Sequence, residues 1–387
     1  MTAGALLLSL IGWLVLALAA IGTLYWAIAT WVLARFLRRE RPAAARSEAV
    51  TLLKPLYGAE PQLEANLSSF LRQTHQGPVQ MVCGVQREDD PAAETVRALQ
   101  ARHPTARIDL VIDTTRHGAN AKIGNLINMM ARADHDIVVL SDSDMAVEPS
   151  YLAQVLAALD RPGIGAVTCL YHGRGDAGFW SRLAAAGPSY QFLVGLVFGK
   201  VMGLAEPCMG STIALRRSTL EAIGGFEAFA DVLADDHAIG AAVRAQGLGI
   251  AIPPVLLAHA SAETGLAHVW RQELRWAATI RALQPGGYAG SVIGFPLALA
   301  MLGCLFHPLP GLYVMVAAFA ARLYTKRVVD RHAGTSTAPF WLLPVRDGLS
   351  FAVFVASYFV RVVDWRGTRL RMEHEGQIIR PVENTRS

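Results

Sequence analysis

Two carboxylates two residues apart, in Asp142-Ser143-Asp144, follow the apolar run Ile137-Val138-Val139-Leu140 after a single serine. Four β-type residues in a row read as a buried strand, so both acids project from a strand end. In parallel sheets, ligands collect in the crevice outside the carboxyl ends of the strands. Paired hard oxygen donors there suit Mg²⁺ or Mn²⁺ carrying the phosphates of a substrate. On their own, the same residues read equally well as an Asx turn leading into a helix cap.

Other charged groups recur along the chain, each with a plainer alternative. In Val85-Gln86-Arg87-Glu88-Asp89-Asp90-Pro91, Asp90 either meets a ligand or caps the next helix. Lys122, in Gly118-Ala119-Asn120-Ala121-Lys122-Ile123-Gly124-Asn125, stands near a helix start. A cation there opposes the helix dipole unless an anion lies close; otherwise it is a solvated lysine. Leu233-Ala234-Asp235-Asp236-His237 opens another helix, where two acids also suit ordinary capping. Gln272-Glu273-Leu274-Arg275-Trp276 lies in a helical stretch with Trp270, Arg271 and Arg281. A guanidinium grips phosphate oxygens in pairs and an indole face offers a stacking platform, although the same two residues beside a membrane serve as an interfacial anchor.

The elements that must position these groups alternate between about 50 and 283. Strands are predicted at 49–53, 79–85, 107–112, 137–140 and 163–169, with helices at 61–73, 91–102, 121–133 and 150–160. Short strands separated by helical stretches imply β-α-β units and an α/β, Rossmann-like, mostly parallel sheet. After the first strand stands Lys54-Pro55-Leu56-Tyr57-Gly58 rather than G-x-G-x-x-G, which disfavours a dinucleotide oxidoreductase.

At 387 residues and 53% hydrophobic, the chain carries more apolar sequence than one globular core consumes. Residues 1–34 hold no charge, and 6–33 exceeds the roughly 20 apolar residues that cross a bilayer. The basic residues Arg35, Arg38, Arg39, Arg41 and Arg46 come after this run. That order fits an uncleaved anchor with a cytoplasmic C-terminal flank, not a secretory signal. Two further spans are expected at 288–306 and 309–324, on either side of the turn His307-Pro308-Leu309-Pro310-Gly311. Lys326, Arg327 and Arg331 would then return the chain to the cytoplasm. The stretch 338–360 contains Arg346 and Asp347 and either spans or lies re-entrant. Arg361, Arg366, Arg369 and Arg371 favour a cytoplasmic tail, and with it the non-spanning option.

The expected plan is an anchor at 1–35, a catalytic domain at 47–285, a membrane region at 286–362 and a basic tail at 363–387. A net charge of +4, with basic residues beside apolar segments, suits anionic lipid headgroups better than nucleic acid. Cys83, Cys169, Cys208 and Cys304 lack metal-site spacing and read as reduced, small apolar residues. The stretch 179–202, with Trp180, Tyr190, Phe192 and Phe198, serves either a lipid interface or core packing.

Taken in order, Asp90, the D-x-D of Asp142 and Asp144, Asp236, and the Q-x-x-R-W of Gln272, Arg275 and Trp276 resemble family 2-like glycosyltransferases of GT-A fold. Leu53-Lys54-Pro55-Leu56, Cys83-Gly84-Val85-Gln86, Asn120 to Asn125, Met209-Gly210-Ser211 and Gly224-Gly225-Phe226 carry a closer resemblance. It is to the ceramide glucosyltransferases and the bacterial hopanoid biosynthesis-associated glycosyltransferases. Asp235 stands where that group commonly has glutamate, and Ala121 where proline is frequent.

The resemblance implies an inverting, metal-dependent transfer from a UDP-sugar to a lipid hydroxyl. Asp142 and Asp144 would hold Mg²⁺ or Mn²⁺, with Asp144 the direct ligand. Asp142, Arg275 and Lys122 would hold the diphosphate, and Asp90 the uracil or ribose. Asp236 would be the base, with Gln272 and Trp276 a platform for acceptor or sugar. The implied reaction moves N-acetylglucosamine to bacteriohopanetetrol at a bacterial inner membrane, in a multi-pass protein with a cytoplasmic catalytic domain. Its alternative is glucose transfer to ceramide. A processive polysaccharide synthase shares these motifs but needs a channel of spanning helices. A scaffold with an inactive domain and a metal-dependent phosphohydrolase are the remaining alternatives. No protein or nucleic-acid partner is implied.

Overall fold

A computed structural model describes residues 2–39 and 47–360, and the backbone of 362–365, 368–372 and 378–381. Arg41, Arg46, Arg361 and Arg366 lie outside the described residues. The strands are β1 (Val50–Pro55), β2 (Val79–Val85), β3 (Arg107–Ile112), β4 (Ile137–Leu140), β5 (Met145–Ala146), β6 (Ile164–Val167), β7 (Leu170–Gly175), β8 (Ile213–Arg216), β9 (Gly249–Ala251), β10 (Leu256–Ser261), β11 (Val362–Trp365), β12 (Thr368–Met372) and β13 (Ile378–Pro381). The helices are α1 (Ala3–Leu37), α2 (Leu63–Leu71), α3 (Pro91–Arg102), α4 (Ala121–Met130), α5 (Tyr151–Leu159), α6 (Phe179–Gly187), α7 (Leu193–Val201), α8 (Arg217–Ala222), α9 (Asp235–Ala245), α10 (Leu266–Leu283), α11 (Pro285–Gly290), α12 (Pro296–Cys304), α13 (Pro308–Ala333) and α14 (Leu342–Ser357). They form two compact units.

The first unit comprises Arg38–Asp176 and Gly203–Ala262. Its main sheet has the order β3-β2-β1-β4-β8-β6-β9. β3, β2, β1 and β4 run parallel, and β8 alone is reversed between β4 and β6. Alternate residues along a strand face opposite sides, and the core divides accordingly. Leu52, Met81 and Val139 meet Phe70, Val96, Leu99 and Val155 of α2, α3 and α5. Leu53, Val82, Val138 and Leu140 meet Ile123, Leu126, Ile239 and Val243 of α4 and α9. Because β4 is covered on both faces, its four residues are all buried and all apolar. Each such fully buried side chain contributes about 1.5–3 kcal/mol. Helix α4 presses close on β2: a Cβ on Gly84 would fall 2.5 Å from Asn125 Oδ1, and Asn125 Nδ2 donates to Gly84 O at 2.8 Å. A second sheet, β5-β10-β7, lies beyond β4.

The second unit contains α1, Ala177–Met202 and the chain from Glu263 onward. Segments 177–202 and 263–285, expected within the catalytic domain, therefore cluster with the apolar helices. Buried positions Gly12, Leu16, Ala19, Gly22, Trp26, Ala29 and Leu33 of α1 recur every three or four residues, giving one packed stripe on the helix. Small residues admit close neighbours there, as membrane helix pairs require. A Cβ on Gly22 would fall 2.1 Å from Ile293 O, and one on Gly303 would fall 2.3 Å from Leu16 Cδ2. Trp26 Nε1 donates to Gly294 O at 2.9 Å, and Thr30 and Thr325 hydroxyls pair at 2.7 Å.

Helix α1 is long and apolar enough to cross a membrane. The expected span 288–306 is instead broken: residues 285–294 and α12 meet at 62°. Pro296 opens α12, where its missing N–H cannot continue the preceding helix. The expected span 309–324 lies inside α13, which runs on through its basic end to Gly334, a left-handed C-cap with φ 67°. Helix α14 has 16 residues, about 24 Å at 1.5 Å per residue, against a hydrocarbon core of about 30 Å. Within the expected basic tail, β11, β12 and β13 form an antiparallel sheet.

Candidate active site

Asp142 leaves the end of β4 with its backbone N–H donating to Gly210 O at 3.3 Å. The 209–212 turn is itself pinned by Thr168, whose Oγ1 accepts from Met209 N–H at 2.9 Å. Lys122, the second residue of α4, places Nζ 2.7 Å from Asp142 Oδ1 and 3.4 Å from Asp235 Oδ2. The anion that a lysine at a helix start requires is therefore supplied by two carboxylates. Burial works against the charge on Lys122, but Asp142 and Asp235 hold it firmly protonated. Asn120 caps α4 by accepting from Ile123 N–H at 3.1 Å, and its Nδ2 donates to Val232 O at 2.7 Å. One asparagine thus ties the start of α4 to the loop that delivers Asp235 and Asp236.

Asp144 has a partner that the sequence did not announce. β10 pairs with the two-residue β5, setting His259 opposite Met145. His259 Nε2 then lies 3.2 Å from Asp144 Oδ2. Burial pushes the Asp144 carboxyl up, but His259, Lys54 and Lys122 outweigh it and hold the group below the usual carboxylate range. Asp144 Oδ1 is buried without a hydrogen-bond partner among the described residues. A buried, ionised oxygen left open in this way fits a hard cation. Among the described residues no three acidic, histidine or cysteine side chains form a cage. A site of this type takes one or two carboxylates and completes its shell with substrate phosphates and water.

Asp236 opens α9. Its Oδ2 accepts from Gly210 N–H at 3.1 Å, and its Oδ1 accepts from His237 N–H at 2.7 Å. Burial and the neighbouring Asp235 carboxylate raise its pKa to about 6, with Lys122 and the two amides opposing. An acid tuned toward neutrality can take a proton from a hydroxyl without being too weak a base.

Behind the D-x-D turn stands Lys54 of β1, fully buried. Its Nζ donates to Asp142 O at 2.9 Å and Ser141 Oγ at 3.1 Å, and lies 3.4 Å over the Phe70 ring. Burial pushes its ammonium down to about 7 against the pull of Asp142. Asp90 is the N-cap of α3: Oδ1 accepts from Ala92 N–H at 3.0 Å and from Gly58 N–H at 2.9 Å. Its carboxylate thereby fastens the loop after β1 to the start of α3. Cys83, Cys169, Cys208 and Cys304 are free, and burial pushes the Cys83 and Cys169 thiols up to about 12, so these two behave as small apolar groups.

Lys122, Asp142, Asp235, Asp236 and Gly210 therefore form one cluster, with Asp144 and His259 at its D-x-D end. Gln272, Arg275 and Trp276 belong to the second unit, on α10, where the Arg275 guanidinium lies 5.9 Å from the Trp276 ring centroid. Of the cluster residues, His259, Gly210, Asp235 and Lys54 carry no role in the sequence-based expectation. Gly210, Asp235 and Lys54 lie within the motifs that carry the family resemblance, whereas His259 carries no local signal.

The chain matches the glycosyl transferase family 21 model over residues 14–378. Ceramide glucosyltransferase 1 of Caenorhabditis elegans is 23% identical over 346 residues, covering 85% of this chain and 72% of the relative. Ceramide glucosyltransferase 3 of the same organism is 23% identical over 352 residues, covering 86% and 74%. Among solved structures, the mannosyltransferase PcManGT from Pyrobaculum calidifontis, in complex with GDP-Man and Mn²⁺, is similar at TM-score 0.52 and 21% identity. That alignment covers 91% of this chain and 98% of the other, and it establishes the GT-A fold. The family match runs from the first helix to the last strands and encloses every residue of the acidic cluster, so the chain belongs to glycosyl transferase family 21 and is a glycosyltransferase.

Proposed function

We propose that this enzyme moves a sugar from a UDP-sugar to a hydroxyl of a membrane lipid in one inverting displacement. The observation that carries the reading is Asp236, a carboxylate with a pKa of about 6, held by Gly210 beside the Lys122–Asp142 pair. Asp236 takes the proton of the acceptor hydroxyl as that oxygen attacks the anomeric carbon. Lys122 and Arg275 stabilise the diphosphate as it leaves, and Asp90 contacts the uracil or ribose. Asp142 and Asp144, with His259 beside them, hold Mg²⁺ or Mn²⁺. When bound, the cation neutralises negative charge growing on the leaving group. Gln272 and Trp276 form the platform for acceptor or sugar.

The apolar α1 supports a lipid acceptor presented at a membrane, and Arg35, Arg38 and Arg39 following its apolar run support a cytoplasmic catalytic domain. Within that class, the names of the Caenorhabditis relatives support glucose and ceramide over N-acetylglucosamine and bacteriohopanetetrol. The test is to incubate purified protein in detergent with Mg²⁺ or Mn²⁺, UDP-glucose or UDP-N-acetylglucosamine, and ceramide or bacteriohopanetetrol. Mass spectrometry of the lipid identifies sugar and acceptor, and the anomeric proton signal reports inversion. UDP release that ignores the lipid would make the protein a hydrolase, and an elongating product would make it a synthase.

A further inference from the structure

Two adjacent charges on α14, Arg346 and Asp347, are buried within the second unit and point to different partners. Asp347 receives Arg322 of α13 in a two-point contact, Nε to Oδ2 at 2.9 Å and Nη2 to Oδ1 at 2.8 Å. That pair lies entirely within the apolar bundle and fastens α14 to α13. Arg346 reaches the other way. Its Nη2 donates to Glu273 Oε2 of α10 at 2.6 Å, across a gap that Gly187 keeps open. A Cβ at Gly187 would fall 2.4 Å from that same nitrogen. Gln191, in the π-helical turn Pro188–Phe192, links the two pairs. Its Nε2 donates to Asp347 Oδ1 at 3.2 Å, while its Oε1 accepts from Ser350 Oγ at 2.7 Å and from Arg346 Nε at 3.4 Å.

Glu273 lies inside the Gln272-to-Trp276 segment. At about 100° per residue around a helix, it stands roughly 160° from Arg275 and roughly 60° from Trp276. Holding Glu273 inward therefore turns Arg275 toward the opposite side of α10. We infer that Arg346 is a positioning residue: its ion pair with Glu273 fixes the rotation of α10 about its axis, and so the face on which Arg275 is presented to the donor diphosphate. This rests on the proposed role of Arg275. The π-helical turn carrying Gln191 agrees with it, since such irregularities in helices gather at functional sites.

The test compares R346M, E273Q, the double variant R346M/E273L and R275A, all in the full chain in detergent. UDP affinity with Mn²⁺ is measured by calorimetry, KM for UDP-sugar and lipid by turnover, and melting temperature by fluorescence. R346M should weaken UDP binding and raise donor KM about tenfold, E273Q about threefold, with lipid KM unchanged. The double variant should melt no lower than wild type, since replacing a buried ion pair with apolar groups is often neutral or stabilising. It should nevertheless keep the tenfold loss, which a purely structural role would not produce. Wild-type UDP affinity in E273Q and in the double variant, with R275A weakened, overturns the positioning role alone. Should R346M fail to fold, E273Q decides by the same criterion. Wild-type UDP affinity in R275A overturns the role of Arg275 and the inference with it.

Discussion

Lys122 meets Asp142 in space that Gly210 leaves vacant. A Cβ at that glycine would lie 2.9 Å from both Lys122 Nζ and Asp142 Oδ2. The G210A substitution should part the pair by a few tenths of an ångström while leaving the sheet intact. Small misplacements of catalytic groups cost about 10–100-fold in rate. The expected outcome is a kcat loss in that range with a melting temperature close to wild type; undiminished kcat would remove the pair from the reaction.

As the proposed base, Asp236 should set the acid limb of the pH profile. Only its carboxylate form accepts a proton, so kcat/KM should rise as pH passes through about 6 and level off above. Asp235 raises that value and Lys122 lowers it. D235N should therefore move the limb to lower pH, and K122M to higher pH. D236N should fold and bind UDP-sugar while losing 10²–10⁴-fold or more in transfer, the usual scale for a lost general base. Normal turnover by D236N would assign the proton elsewhere.

Asp144 keeps one oxygen open and its other beside His259. D144N should abolish the part of UDP affinity that depends on Mn²⁺ or Mg²⁺, a loss of at least about tenfold on the scale of charge-assisted contacts. H259A should weaken the same metal-dependent part less. Calorimetry with and without metal reads both, and metal-independent UDP binding in wild type would refute the assignment.

Trp276 distinguishes a sugar or acceptor platform from a membrane anchor. W276A should raise acceptor KM or lower kcat while the protein still co-sediments with vesicles. Loss of vesicle association with unchanged kinetics would favour the anchor.

The strands and helix with the plainest local signals were legible to the residue. Val79–Val85, Arg107–Ile112 and Ile137–Leu140 match their predicted bounds, as does Pro91–Arg102. In that helix Asp90 caps and Pro91 opens the first turn, a start written into two consecutive residues. β10 lacks a strong local signal because His259 sits among small and apolar residues, and its place is set by distant strands, six pairs with β7 and two with β5. The reversed β8 comes after α6 and α7, which cluster with the second unit, and after the pinned 209–212 turn, so the β-α-β alternation rule does not reach it. The break before α12 is signalled locally by Gly294-Phe295-Pro296, but the high hydrophobicity of 288–306 masks it. Arg346 and Asp347 marked 338–360 as unusual, yet their partners Glu273 and Arg322 lie 73 and 25 residues away. Distance along the chain hid them.

The seam between α1 and the later helices gives the leading segment a part beyond tethering. Trp26, Thr30 and Leu16 are held by groups some 270–300 positions further on. Cutting the polypeptide after Leu37 would leave a slot lined by Gly303 and the carbonyls of Ile293 and Gly294, with nothing to fill it. Helix α1 and the segments around Ile293, Gly303 and Thr325 must therefore come together before this unit is complete, and a shortened protein should regain its fold only when the missing helix is supplied as a separate peptide.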